Sequence, residues 1–491
     1  MPWIFSKKVN LQTQNTASST FTKKNTLVVI VVGTALLVSS MNLTVGFVVL
    51  PQMMEGLDVG LNWVGWTITS YQLSSSIAMS LFGRISDQLG RRKIFALSLL
   101  VFTIGSVGSA LAPNIGFHIL MRVIAAVGSG AILPISAAIV SIEFPRHRAK
   151  ALGLFTTILP IGWILGPTLG GFIADSLSWR VSFILVVPFS ILALIGTMVV
   201  VPESYQRTAL SKLDLKGAFL LAISIGAFML SLSLFRVTTD TAMIFAWILL
   251  LITIPLGFIF WKHELRADDP IVDLELLRLR PFMAANTYNI VWGGTSIGSS
   301  AFIPFYATIQ FGLDSSRSGA MLIGLEIALI ISSTVVSLWL LRRLGYRVLL
   351  LAGGFVLSGS LLVVGFGIFS LLENYIAPFW TLFIVLTIAG IGMGIQSPAS
   401  NNAGVELMPS RVSSIVGLRG TFRFGGSVIS TTLIFFVLAG FENKATGVEF
   451  VYLALGAILL LAMPIIFIMP TGREEPIDGS SSTTPVSRTQ T

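Results

Sequence analysis

The stretch SGAMLIGLEIALIISS, residues 318–333, holds a single ionisable side chain, Glu326, in a run that is otherwise uncharged and mostly apolar. Three basic residues stand in comparable surroundings: Arg122, Arg419 and Arg423. An apolar environment favours the neutral form of a carboxyl group, and a nearby guanidinium favours the carboxylate. An acid that alternates between those environments takes up and releases a proton. Arg419 and Arg423 are four residues apart, which puts them on one face of a helix. Glu326, Arg122, Arg423 and Arg419 are therefore the candidates for proton coupling. Two other readings of Glu326 stand beside this one. It could form a static ion pair with Arg423 that locks two helices together, or it could fill a packing or lipid-snorkelling role.

Little else in the chain suggests chemistry. The three histidines, His118, His147 and His263, are far apart and lack metal-ligand spacing, and there is no cysteine. No phosphate-binding glycine loop occurs. No nucleophile and base are paired as an enzyme would need. No enzyme, cofactor or metal centre is expected.

The elements that must position Glu326 follow from composition. The 491 residues are 54% hydrophobic and 11% charged, against about 25% charged in a soluble protein. A membrane-spanning helix needs about 20 apolar residues, and the sequence offers fourteen such segments: 26–50, 61–83, 93–112, 116–141, 150–174, 180–201, 214–236, 242–261, 282–311, 316–341, 347–370, 376–400, 411–438 and 447–469. The first is too long for a signal-peptide core and is read as a retained span. Placing the N-terminus inside puts 24 of the 31 Lys and Arg in loops on that side and four on the other, leaving Arg122, Arg419 and Arg423 within spans. The positive-inside rule then sets both termini in the cytoplasm of a cell membrane. The net charge of +9 matches anionic lipid rather than nucleic acid. On the same bilayer scale Glu326 lies about 15 Å from the outer end of its span and Arg423 about 18 Å from the inner end of its own, so both are near the midplane.

The chain also repeats itself. EGLD at 55–58 returns as FGLD at 311–314, DQLGRR at 87–92 as RRLGYR at 342–347, and the Gly pair 170–171 as 425–426. The common shift of about 255 residues carries span 1 onto span 9. It predicts two six-helix bundles in parallel orientation, with spans 7 and 8 inserted between them. The expected divisions are a cytoplasmic segment 1–25, a first bundle 26–201, a linker with two extra spans 202–281, a second bundle 282–469 and a disordered cytoplasmic tail 470–491.

Three motifs identify a family. GRISDQLGRRK, 83–93, joins spans 2 and 3, with Gly83 and Gly90 expected to permit a tight turn and Asp87, Arg91 and Arg92 to form a conformational latch. LMRVIAAVGSGAILP, 120–134, carries Arg122 inside the membrane. LPIGWILGPTLGGF, 159–172, carries Pro160, Gly166, Pro167, Gly170 and Gly171. Together these resemble the loop, span-4 and antiporter signatures of the major facilitator superfamily, and with fourteen spans they resemble its drug:proton antiporters. The resemblance covers roughly residues 26–469. It implies proton-driven efflux of amphipathic small molecules by alternating access, with protons, a small-molecule substrate and the lipid bilayer as partners. A monomer is expected.

The sequence departs from that family in span 1, where MNLTVGFVVLP, 41–51, places Asn42 where the family commonly has an acid. Asn42 cannot titrate. The second loop copy has lost its acid too, since Arg342 stands where the repeat calls for Asp. Three intramembrane arginines against one acid would tolerate anionic or zwitterionic substrates better than cations. A carrier without proton coupling, an uptake system, and a sensor or scaffold that kept the fold are the alternatives. Asn42, Tyr71, Gln72, Asn286, Asn289 and Trp292 are the polar residues expected to line a substrate cavity, each also able to serve as a helix-packing hydrogen bond.

Overall fold

The computed structural model describes residues 23–144, 155, 158–203, 214–235, 240–267, 278–300, 302–368, 377–405 and 412–471. Among these the chain is all α. The first half contains α1 (Lys23–Val48), the short α2 (Leu50–Leu57), α3 (Leu61–Leu89), α4 (Arg91–Ala110), α5 (Ile115–Glu143), α6 (Ile158–Ser176), α7 (Trp179–Ile184) and α8 (Val187–Val200). Next come α9 (Leu215–Leu234) and α10 (Asp240–Glu264). The second half contains α11 (Arg280–Gly293), α12 (Ile303–Phe311), α13 (Ser315–Val335), α14 (Leu341–Gly365), α15 (Pro378–Val405), α16 (Val412–Gly440) and α17 (Lys444–Ala462).

Ten helical stretches among the described residues are long and apolar enough to cross a membrane. Helices in lipid satisfy their own backbone groups, which is why apolar runs of this length fold this way. The four other segments expected to span are helical as well: α3, α9, α11 with α12, and α16. Three of these carry polar side chains such as Gln72, Asn289 and Arg423. In the third, a π turn at Gly294–Gly298 separates α11 from α12.

Internal repetition is visible in the backbone. Gly90 has φ 104° and breaks the chain between α3 and α4, and Gly345, one 255-residue shift away, has φ 73° and breaks it within α14. On the same face Arg92 donates from Nη2 to the Met198 carbonyl. Arg347, at the same shift, donates from Nε and Nη2 to the Met469 carbonyl at 3.0 and 2.7 Å. Each half thus ties its third span to the end of its last. Gly83 departs from expectation: it lies inside α3, and the turn belongs to Gly90 alone. An L side chain at a left-handed φ costs about 1–2 kcal/mol. Gly90→Ala should therefore lower the melting temperature in detergent. Gly83→Ala should not, because a Cβ there would sit 3.5 Å from Pro134, an ordinary contact.

α9 packs on α10 and also touches α3 and α16, while α10 is almost entirely exposed. α9 therefore lies against the junction of α3 and α16, one helix from each half, with α10 beyond it. One apolar core, from Val28 to Val201, lies within the first half. A second runs through the second half and takes in Val45, Phe47, Leu50, Leu61 and Val64 of the first, fusing the halves at the face opposite Gly90.

Candidate substrate and proton site

Three helices from the two halves meet along α6. Where the sequence places its Pro- and Gly-rich motif, α6 is pressed between α1 and α13. A Cβ at Gly171 would lie 2.3 Å from the Ser315 carbonyl oxygen, and one at Gly319 2.3 Å from that of Pro167. Backbone therefore touches backbone across the seam, as small residues allow in membranes. Gly166 is packed in the same way against Thr44 and Met41 of α1. Gly170 faces Val45, and its carbonyl accepts from Ser182 Oγ at 2.8 Å. Pro160 and Pro167 both lie within α6. At the end of this seam Asp175 accepts from Gln52 Nε2 at 2.8 Å and from the Ser316 backbone N–H at 2.7 Å. That N–H belongs to the first turn of α13, where a carboxylate is favoured by the helix dipole.

Deeper along the seam is a cavity of about 40 Å³ between the halves, with Thr44 and Phe47 of α1, Trp163 of α6, Trp292 of α11, Ser296 of the π turn and Glu326 of α13 in its wall. It has room for about three waters. Glu326 is 7% exposed, and its Oε2 is buried with no hydrogen-bond partner. Among the described residues no Lys, Arg or His nitrogen lies within 4.0 Å of it; His263–Asp214 and Arg317–Asp314 are ion pairs elsewhere. The static Glu326–Arg423 pair raised as an alternative is thus absent in this state. Arg423 stacks on Trp292, 4.4 Å from its ring centroid, and donates to Asn401 Oδ1 at 2.9 Å. Arg419 donates to the Ser400 carbonyl and hydroxyl at 2.6 and 2.9 Å. The two arginines share a face directed at α15, as their spacing predicts, and neutral acceptors hold both.

Arg122 is also fully buried. Its Nη1 donates to Asn42 Oδ1 at 2.5 Å, and its guanidinium lies 4.0 Å from the centroid of Tyr71. Asn42 is therefore committed to Arg122 and, through Nδ2, to Ser106 at 3.2 Å. Of the six residues expected to line a substrate cavity, the structure places only Trp292 in the wall of the Glu326 cavity. Tyr71 lies under Arg122. Gln72 accepts from Thr431 across the halves at 3.3 Å. Asn286 Nδ2 donates to the Phe282 carbonyl and Asn289 Nδ2 to the Arg419 carbonyl. Asn42, Gln72, Asn286 and Asn289 make helix-packing hydrogen bonds here, and Tyr71 packs its ring under Arg122. Sequence reasoning missed Thr44, Phe47, Trp163 and Ser296. A helix-1 phase that put Thr44 and Phe47 one turn apart beside Gly166 would have found two of them. In the loop motif, Arg91 is buried and Arg92 is tied to Met198. The Asp87 side chain lies outside the described residues.

The comparisons agree with this architecture. The Major Facilitator Superfamily model matches residues 32–431. Multidrug resistance protein 3 of Bacillus subtilis (strain 168) is 28% identical over 77% of this chain and 73% of its own. Multidrug transporter protein MdtP of the same organism is 26% identical over 76% and 68%. Among solved structures, a D-xylose-proton symporter superposes with a TM-score of 0.64 over 91% of this chain and 98% of its own, at 15% identity. A POT family transporter in complex with a thioalcohol-conjugated peptide does so at 0.67 over 90% and 95%, again at 15% identity. Two helical halves built on a 255-residue repeat, a cavity on their seam and a family match across most of the sequence place this chain in the Major Facilitator Superfamily, as a multi-pass membrane transporter.

Proposed function

We propose that this protein is a proton-coupled exporter of amphipathic small molecules, working by alternating access, with Glu326 as the proton carrier. The observation that carries this reading is the unpartnered Glu326 carboxyl in the wall of a cavity shared by both halves. A structural carboxylate buried in lipid would be paired, because an unpaired one costs roughly 3 kcal/mol. A group that must accept and lose a proton cannot be held by a permanent cation. The multidrug names of the Bacillus relatives support the substrate class. An apolar wall with a few polar groups suits an amphipathic ligand. The chain would span the membrane fourteen times, with a first bundle at 26–201, a linker at 202–281 and a second bundle at 282–469. Both termini would be cytoplasmic, which makes the Gly90 face the inner one. The test is transport of a panel of lipophilic dyes and organic acids in inverted vesicles, with and without a pH gradient. Dye uptake that depends on the gradient is expected; transport indifferent to it would exclude proton coupling.

A second reading, carriage of anionic or zwitterionic compounds, is favoured by Arg122. Its partner is the neutral Asn42, so its charge is not cancelled. Uptake of the organic acids in the same panel, with no uptake of cationic dyes, would select this reading.

Asp87 would act as a latch on the inner face. Asp87→Asn should reduce transport several-fold at normal membrane abundance. Unchanged transport would leave the loop with topology as its sole role.

A further inference from the structure

We infer that protons reach Glu326 from the outer face through the interior of the second half, along Glu449, Tyr306, Tyr452 and the serines of the π turn, rather than through the seam between the halves. The inference rests on the proton role proposed for Glu326 and on the orientation proposed above.

The seam is shut at that face. α6 and α13 touch backbone to backbone, Asp175 is bonded to the Ser316 N–H, and one apolar core continues across both halves. Yet a series of polar groups runs through the second half alone. Glu449 is half-buried and lies about 8 Å along α17 from its outer end. The Tyr306 hydroxyl donates to Glu449 Oε1 at 2.8 Å. Tyr452 is three residues on from Glu449, on the side of α17 where Glu449 accepts from Tyr306. Its hydroxyl donates to the Ser299 carbonyl at 2.5 Å. Tyr306 and Tyr452 are each 1% exposed. Two phenols would not normally be sunk this deep in line with an acid for packing alone, since phenylalanine would pack as well without a hydroxyl to satisfy.

Beyond Tyr452 lies a small cavity of about 10 Å³, with Ser299, Ser300, Ser360 and Tyr452 in its wall. It has room for about one water. Ser300 and Met393 also belong to the wall of the Glu326 cavity. The π turn brings this about. It adds a residue to one turn of the helix, and the Ser296, Ser299 and Ser300 hydroxyls bond back to carbonyls of that same stretch. Such bulges shift side-chain phase and recur at functional sites.

Transfer along this line is balanced. Glu449 takes a proton from water and turns from acceptor to donor toward Tyr306. Tyr306 receives that proton on oxygen and passes its own to Tyr452. Tyr452 does the same to the water, and the water protonates Glu326. One proton moves inward, each hydroxyl ends with one proton, and rotation of the hydroxyls resets the line. Because the route avoids the seam, it loads Glu326 while the substrate gate on that face is closed.

The experiment uses the full chain in uniformly oriented proteoliposomes, with the seam locked by a disulfide between Asp175→Cys and Ser316→Cys; the chain has no other cysteine. The outer bath is acidified, and the infrared carboxyl band assigned to Glu326 by its loss in Glu326→Gln is followed in time. Tyr306→Phe, Tyr452→Phe and Glu449→Gln should each slow its appearance at least tenfold while leaving the final amplitude unchanged. A merely structural role would alter amplitude or melting temperature without selectively slowing the rate. Unchanged rates in all variants that fold would overturn the route. A band that persists in Glu326→Gln would instead overturn the proton role of Glu326, so the two failures are distinct.

Discussion

Glu326→Gln is expected to abolish transport driven by a pH gradient while substrate binding, measured by dye fluorescence or calorimetry, stays within about twofold of wild type. The amide has the shape and neutrality of the protonated acid, so the cavity wall is preserved and only the proton is lost. The structure sharpens this expectation. Had Glu326 been paired with Arg423, the substitution would strand a guanidinium in the membrane at roughly 3 kcal/mol or more, and poor expression would mask any coupling defect. With Arg423 on Trp292 and Asn401 instead, the Gln variant should melt near the wild-type temperature. pH-driven transport that survives the substitution would hand coupling to another group or to none.

The second large effect concerns the seam. Gly319→Leu should prevent α6 and α13 from closing. The four added carbons would start from a Cβ 2.3 Å from the Pro167 carbonyl, where rigid backbone cannot yield. Overpacking of this kind costs about 1–3 kcal/mol. If the cost falls on the closed state alone, the population shifts toward the open state by about 5–150-fold. A single cysteine at Thr44, in the cavity wall, should then react much faster with a membrane-impermeant thiol reagent added outside. No change in that rate, in a variant that folds, would mean that this contact is not the gate. Ala at the same position should give an intermediate rate.

How legible was this in the sequence? Spans with continuous apolar runs, such as Asp240–Glu264, were plain because bilayer thickness dictates their length. The repeat was legible because Gly90 and Gly345 must each adopt a left-handed φ that other residues resist, so their spacing survives where surrounding residues have diverged. Glu326 was legible because a lone acid in lipid has few explanations. What it faces was not. The partners of Arg423 are Trp292 on α11 and Asn401 on α15, and helical periodicity within α16 says nothing about which neighbour a face meets. The lining of the Glu326 cavity was hidden for a related reason. Polarity singled out Asn42, Gln72 and Asn289, but buried amides in a membrane first satisfy one another and nearby carbonyls. The cavity fell instead to residues placed by the close approach of α6 to α1, among them Phe47 and Trp163. Gly83 was misjudged because glycine marks both turns and close helix packing, and the sequence does not say which.

The bolts that close each half also carry a schedule for biogenesis. The partner of Arg92 lies 106 residues downstream and that of Arg347 lies 122 residues downstream. At about 5–20 residues per second, the ribosome needs roughly 5–20 s to supply the Met198 carbonyl after Arg92 has emerged. During that interval Arg92 lacks its Met198 acceptor. Both partners of the first bond are synthesised before any residue of α11, so the first half has what it needs to close by itself. The second half then inserts beside a finished neighbour, with α9 and α10 as the stretch of chain that separates the two events.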